Sequence, residues 1–164
     1  MGTAVVDKGA LRERLLEALR AARETAAAAQ RTTQQGVTHE DARPEGDKDT
    51  RATEASYVAR GQAMRVEALD GDIGRVVSMQ LRSFTEDEPV ALSAVVTLEN
   101  DSGERRVFLA PAGGGERLQA GSISVSVVTP SSPLGRALVG AHAGDSIRYR
   151  RGDTEDEVEI VEIL

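Results

Sequence analysis

From about Lys8 to Gln35, apolar or small residues recur at spacings of three and four: Leu11, Leu15, Ala18, Ala22, Thr25 and Ala29. This is the period of a buried helical stripe. The residues between are largely Ala, Arg, Glu and Gln, all good helix formers. No Pro interrupts them and Gly9 is the only Gly. The stripe begins with Leu and turns Ala-rich, so a partner helix can come close along its later turns. Gly36 is the expected C-cap, and Pro44 cannot continue a helix. A second helix is expected from near Asp49 or Thr50, either of which can N-cap it. Thr50 with Thr53 and Glu54 gives an imperfect capping box. Its stripe, Ala52, Ala55, Ala59, Val66, Leu69, Ile73, Val76 and Gln80, has coiled-coil-like spacing. Helices of roughly 28–32 residues would each extend about 42–48 Å. With no third helix to cover them, one face stays in water, which suits their many Arg and Glu residues.

After Phe84 the period changes. Thr85–Pro89 reads as a linker. Leu92, Ala94, Val96 and Leu98 alternate, the mark of a half-buried strand, and a turn follows at Asn100–Gly103. Val107–Ala110, then Ile123, Val125 and Val127, predict two more strands. Ile147 with Tyr149, and Val158 with Ile160, predict a fourth and a fifth. Pro133–Val139 reads as a short helix with Pro in its first turn. The expected architecture is α+β. An antiparallel two-helix coiled coil occupies 1–84, and a small domain with one helix on an antiparallel sheet occupies 85–164.

Charge and composition narrow the function. The 164 residues carry a formal net charge of -7, which argues against a general nucleic-acid binder. Aromatic residues make up 2% and Trp is absent, so stacking platforms for single strands are missing. The absence of Cys excludes disulfides, thiolate catalysis and Cys-ligated zinc. No apolar run approaches the ~20 residues that span a bilayer, and the first residues lack a signal-peptide pattern. A cytoplasmic monomer is expected.

The turn between the helices concentrates acid: Glu40, Asp41, Glu45, Asp47 and Asp49. Such a run is either a solvated loop or a set of hard oxygen ligands offered to a metal held elsewhere. Tyr57 is expected to pack across the hairpin. Arg20, Arg23, Arg31, Arg60 and Arg65 either face a polyanion or pair with Glu at helical spacing. Pro111–Gly115 is Gly-rich but lacks the Gly-Lys-Ser/Thr of a phosphate loop and reads as a connection. His39 and His142 have no evident ligand partners and are expected at the surface. Ser131 and Ser132 lack a His/Asp constellation and are expected to cap the helix at Pro133.

Thr129-Pro-Ser-Ser-Pro-Leu-Gly-Arg-Ala-Leu-Val-Gly140, then Gly144-Asp145 and the closing segment Glu157–Ile163, resembles the C-terminal signature of bacterial Gre-type transcript cleavage factors. Gly46-Asp47, Glu54–Tyr57 and Ala59–Gln62 resemble the tip and early second helix of the same family, in a short, divergent Gre-like branch. The resemblance implies an FKBP-like C-terminal domain that docks on RNA polymerase at its secondary channel. Ser132, Pro133, Arg136, Ala137, Gly140 and Asp145 are the docking candidates. It implies a coiled coil reaching the polymerase active site, near the nascent RNA 3′ end. Tip carboxylates there help hold magnesium, so that the polymerase cuts backtracked RNA. Asp47 and Asp49, with Glu45 and Asp41, are the tip candidates. No metal or cofactor of the chain's own is expected beyond magnesium shared with the polymerase. The FKBP-like fold does not carry prolyl isomerase activity with it, because Tyr57, Phe84, Phe108 and Tyr149 are too few to wall such a pocket.

The family's tip has Asp followed three residues later by Glu. Here Thr50 follows Asp47 at that spacing, and counting back from Tyr57 puts Thr50 and Thr53 at the two acidic positions. Three functions stand open: an accessory factor that stimulates cleavage without being an enzyme, a channel-occupying regulator that does not cleave, and a helical interaction module unrelated to polymerase.

Overall fold

The computed structural model describes residues 5–40 and 48–164, with side chains over 5–36 and 50–164. Helix α1 spans Lys8–Glu40 and α2 spans Lys48–Ser78. They are followed by β1 (Val95–Asn100), β2 (Gly103–Leu109), β3 (Arg117–Ala120), β4 (Ile123–Val128), α3 (Pro133–Leu138), β5 (Ser146–Arg151) and β6 (Thr154–Ile163). The chain divides into two compact units, one of Ala18–Ile73 and one combining the residues up to Glu17 with Gly74–Leu164.

Asp7 caps α1, its Oδ1 accepting the Ala10 N–H at 3.0 Å. The helix does not end at Gly36. One glycine costs a helix interior about 1 kcal/mol against Ala, too little to stop α1 before Glu40. In the helical unit, Leu19, Ala27 and Leu69 are buried. Arg23 Nε meets Asp70 Oδ1 at 2.8 Å across the two helices. The buried stripe of α1 differs from the expected one: Thr25 and Ala29 are exposed, while Ala26, Ala27 and Gln30 turn inward. Ala26 to Ala29 are equally apolar, so hydropathy cannot fix the phase there. On α2, Ala55, Ala59, Val66, Leu69, Ile73 and Val76 are sheltered as expected, but Ala52 is exposed; the helix ends at Ser78, and just beyond it Met79 is buried and Gln80 exposed.

The second unit holds one six-stranded sheet in the order β3-β4-β2-β1-β6-β5. It is mixed: β2 and β4 run parallel, and the remaining neighbours are antiparallel. The expectation of a wholly antiparallel sheet fails because β3 intervenes in sequence, pairs with the far edge of β4 and turns the chain back along β2. Strand β3 escaped the periodicity because Leu118 is its only fully buried residue, too little alternation to register. Strand β1 begins at Val95, and Val95 to Leu98 are all buried. It is not half-buried, because both faces of the sheet are covered. One face carries Val96, Leu98, Val107 and Ile160 in a core shared with Leu134 and Leu138 of α3. The other carries Val95, Phe108, Val125 and Val127, and the same unit buries Leu11, Leu15 and Val76. Leu92, assigned from its period to the first strand's inward face, lies before the strand and is exposed.

Candidate functional site

The α3 segment is built by its own backbone. Thr129 O accepts from both the N–H and the hydroxyl of Ser132, at 3.1 and 2.8 Å. Ser132 Oγ then accepts the Gly135 N–H at 3.0 Å, with extended backbone at the cap. Ser132 is therefore the N-cap and Pro133 the first helical residue, where a missing N–H is harmless. Arg136 Nη1 donates to Ser131 O at 2.6 Å, which folds the guanidinium back over the cap. Ala137 packs against the core from the inner side.

Gly135 has a role that its place in the signature only hinted at. A Cβ there would lie 1.8 Å from Thr129 O, so the cap turn and the helix touch backbone to backbone. At the other end Gly140 adopts φ +85°, the left-handed conformation that closes helices and favours Gly. Its N–H donates to Val90 O, and Val90 N–H donates back to Ala141 O. Asp145 belongs to the next turn, where its Oδ2 accepts the His142 N–H at 2.8 Å.

Ser132, Pro133, Arg136, Ala137 and Gly140 thus lie on one short helix and its ends. Asp145 shapes the turn that leads into β5. Next to α3 lies a shallow groove lined by Ala91, Leu92, Pro111, Pro130 and Val139, together with Arg75, Ser78, Gln80 and Arg82. Leu92 and Val139 are 41% and 48% exposed. Sequence reasoning missed this groove, since it joins residues from four separate connections and has no period.

The tip is a different matter. Asp41, Glu45 and Asp47 lie outside the described residues, and Asp49 falls in α2 at a position whose side chain is not described. Tyr57 is 67% exposed and does not pack across the hairpin, because the sheltered positions of α2 around it are Ala55 and Ala59. Of the helical arginines, Arg23 pairs with Asp70, and Arg31 with Glu24 two turns away at 2.8 Å. These hydrogen bonds hold the Asp70 and Glu24 carboxyls below their ordinary range. Arg20, Arg60 and Arg65 are exposed.

Residues 85–164 match the family model of the transcription elongation factor GreA/GreB C-terminal domain. The C-terminal stretch of the chain is thus similar to that domain of the Gre factors. The matched stretch starts before β1 and contains all six strands and α3. The transcription elongation factor GreA of Trichlorobacter lovleyi is 28% identical over 99 residues, 60% of this chain and 60% of that protein. The match therefore spans about three fifths of that relative's length. Among solved structures, the transcription factor Gfh1 is 24% identical, with 94% of this chain and 93% of that one covered and a TM-score of 0.40. The GreA factor homolog 1 protein of Thermus thermophilus is 19% identical, with 93% and 94% covered and a TM-score of 0.38.

Proposed function

We propose that this chain is an accessory factor of bacterial RNA polymerase that docks through its GreA/GreB domain at the secondary channel. Its helical hairpin would carry the acidic turn toward the polymerase active site. The observation that carries this reading is the family match over 85–164 together with the α3 segment inside it. Ser132, Pro133 and Arg136 form a preorganised cap there, beside a groove whose lining mixes apolar and polar side chains. Rigid polar groups around an apolar patch suit a protein partner, because little entropy is lost on docking. The chain would not be an enzyme. Asp47 and Asp49, supported by Glu45 and Asp41, would share the polymerase's magnesium, whose chemistry is to activate water and stabilise the phosphodiester transition state. The nascent RNA 3′ end would be the polymer cut, and the polymerase the catalyst.

The primary test is direct binding of the chain to core RNA polymerase at moderate salt. Absence of binding removes the proposal and leaves a helical interaction module. Cleavage of RNA in backtracked complexes tests the finer reading. A second reading, a channel-occupying regulator without cleavage, is favoured by Thr50 and Thr53, which stand where the family's acidic pair is expected. It predicts binding and competition with a Gre factor, but no cleavage.

A further inference from the structure

Residues 85–164 hold 14 of the 27 acidic side chains and 7 of the 20 basic ones, so the whole formal charge of -7 falls on that stretch. Part of this acid stands in an unfavourable row. Glu99 of β1 lies opposite Glu104 of β2 on one side and opposite Glu159 of β6 on the other. Like charges directly opposite one another weaken a sheet. Farther along β1, Thr97 is flanked in register by Arg106 and Glu162. Side chains alternate along a strand, so these residues share the sheet face turned away from α3, whose core takes Val96 and Leu98. Thr97, Glu104, Arg106 and Glu162 line an open cleft of about 920 Å³ together with Glu86 and Asp87. Thr97 is 3% exposed, and among the described residues neither its Oγ1 nor Arg106 Nε has a hydrogen-bond partner. Buried polar atoms are normally hydrogen-bonded, yet here two of them sit on directly paired residues of one cleft. Among the described residues, Glu86, Asp87 and Glu162 carry no ion pair.

We propose that this cleft binds an arginine-bearing segment of a protein partner. The partner's guanidinium offers N–H donors in a planar fork to the carboxylates of Glu86, Asp87 and Glu162. Its aliphatic stem lies along Val161, which also lines the cleft and is 44% exposed. A main-chain carbonyl of the same segment accepts from the Thr97 hydroxyl and from Arg106 Nε–H. The two recognition elements explain why carboxylates and an arginine share one site. A metal ion would bring no acceptor for the two donors, and no group of the described residues is arranged to hold one. A nucleic acid would set its phosphates against the carboxylates. The cleft shares no lining residue with the groove beside α3, so this binding does not rest on the polymerase reading.

The experiment titrates the intact, isotope-labelled protein with N-acetyl-arginine methylamide, a minimal probe that has both a guanidinium and main-chain carbonyls. Backbone amide shifts follow the binding. Saturable shifts centred on Thr97, Arg106 and Glu162 are expected, with a Kd of roughly millimolar order. Thr97→Val should weaken binding at least about threefold without lowering the thermal midpoint, because the hydroxyl has no partner in the chain to lose. Glu86→Gln with Glu162→Gln should weaken it at least about fivefold. Asp153→Asn with Glu155→Gln removes the same charge at the β5–β6 turn and should leave binding within about twofold of wild type. Shifts that never saturate, or that spread over the whole acidic surface, overturn the proposal. So do equal losses in the two charge variants, or a Thr97→Val protein that binds as tightly as wild type.

Discussion

Gly135 is the residue at which a sequence motif becomes a steric fact. The Thr129 carbonyl occupies the space of its missing Cβ, and the same carbonyl receives two hydrogen bonds from Ser132. Gly135→Ala must therefore push the helix off its cap turn, and a loss of roughly 2–3 kcal/mol is expected in urea unfolding. Ser132→Ala removes the cap and the hydroxyl's bond to Thr129 O without a steric clash, about 1–2 kcal/mol. Equal losses in the two variants would contradict this ordering. The motif was legible in the sequence; the reason for its glycine was not, because the contact depends on how the chain folds back from Thr129. Lys8 gives a second test at this scale. Its depressed pKa of about 8 means that the unfolded chain binds the extra proton between about pH 8 and 10.5. Wild-type stability should therefore rise with pH across that window relative to Lys8→Met. The rise should stay under ~1 kcal/mol, because the site is half open to solvent. A flat difference would show that Lys8 is not perturbed.

At the scale of elements, what could be read depended on how much apolar contrast a segment carries. The Leu11 and Leu15 end of α1, the Leu69 and Val76 end of α2, and the short helix from Pro133 all have strong contrast, and the structure has them where the pattern put them. Ala26 to Ala29 have no contrast, and the inward phase was misread there. Strand β1 was placed too early, since Leu92 and Ala94 continue its period although Ser93, at φ +71°, breaks the extended backbone. Strand β3 was invisible, and with it the parallel β2–β4 pairing. The groove beside α3 has no sequence signature at all, since four connections build it. Gly36 tests the revised helix directly. Among the described residues nothing lies within 4 Å of a Cβ added there, and α1 continues past it to Glu40. Gly36→Ala should then raise helicity and stabilise the helical unit by about 0.5–1 kcal/mol. If α1 ended at Gly36 as a left-handed cap, the same change would destabilise it, so the sign of the shift in thermal midpoint decides.

At the scale of the whole molecule, the two proposed tasks draw on residues far apart in sequence, and that makes them separable. Docking is assigned to α3 and the groove with Leu92 and Val139, in the sheet-containing unit. Cleavage is assigned to carboxylates between α1 and α2 and in the first turn of α2. Leu92→Glu with Val139→Glu places charge on two side chains already 41% and 48% exposed. The fold should therefore tolerate the pair, and urea unfolding checks that it does. An apolar contact of this size contributes on the order of 1–3 kcal/mol when buried by a partner, so the double variant should weaken polymerase binding about 10- to 100-fold. Cleavage should then fall in proportion and recover at high factor concentration. Asp47→Ala with Asp49→Ala should do the reverse, leaving binding within twofold of wild type and abolishing cleavage at every concentration. Weak binding by the aspartate variant would mean that the acidic turn is itself part of the docking surface. Full cleavage by it would move the chemistry to other residues. A wild-type chain that binds, competes and never cleaves selects the regulator, and then the threonines at 50 and 53 become the positions to change. Thr50→Asp with Thr53→Glu tests whether restoring acids there brings cleavage to a scaffold that already docks.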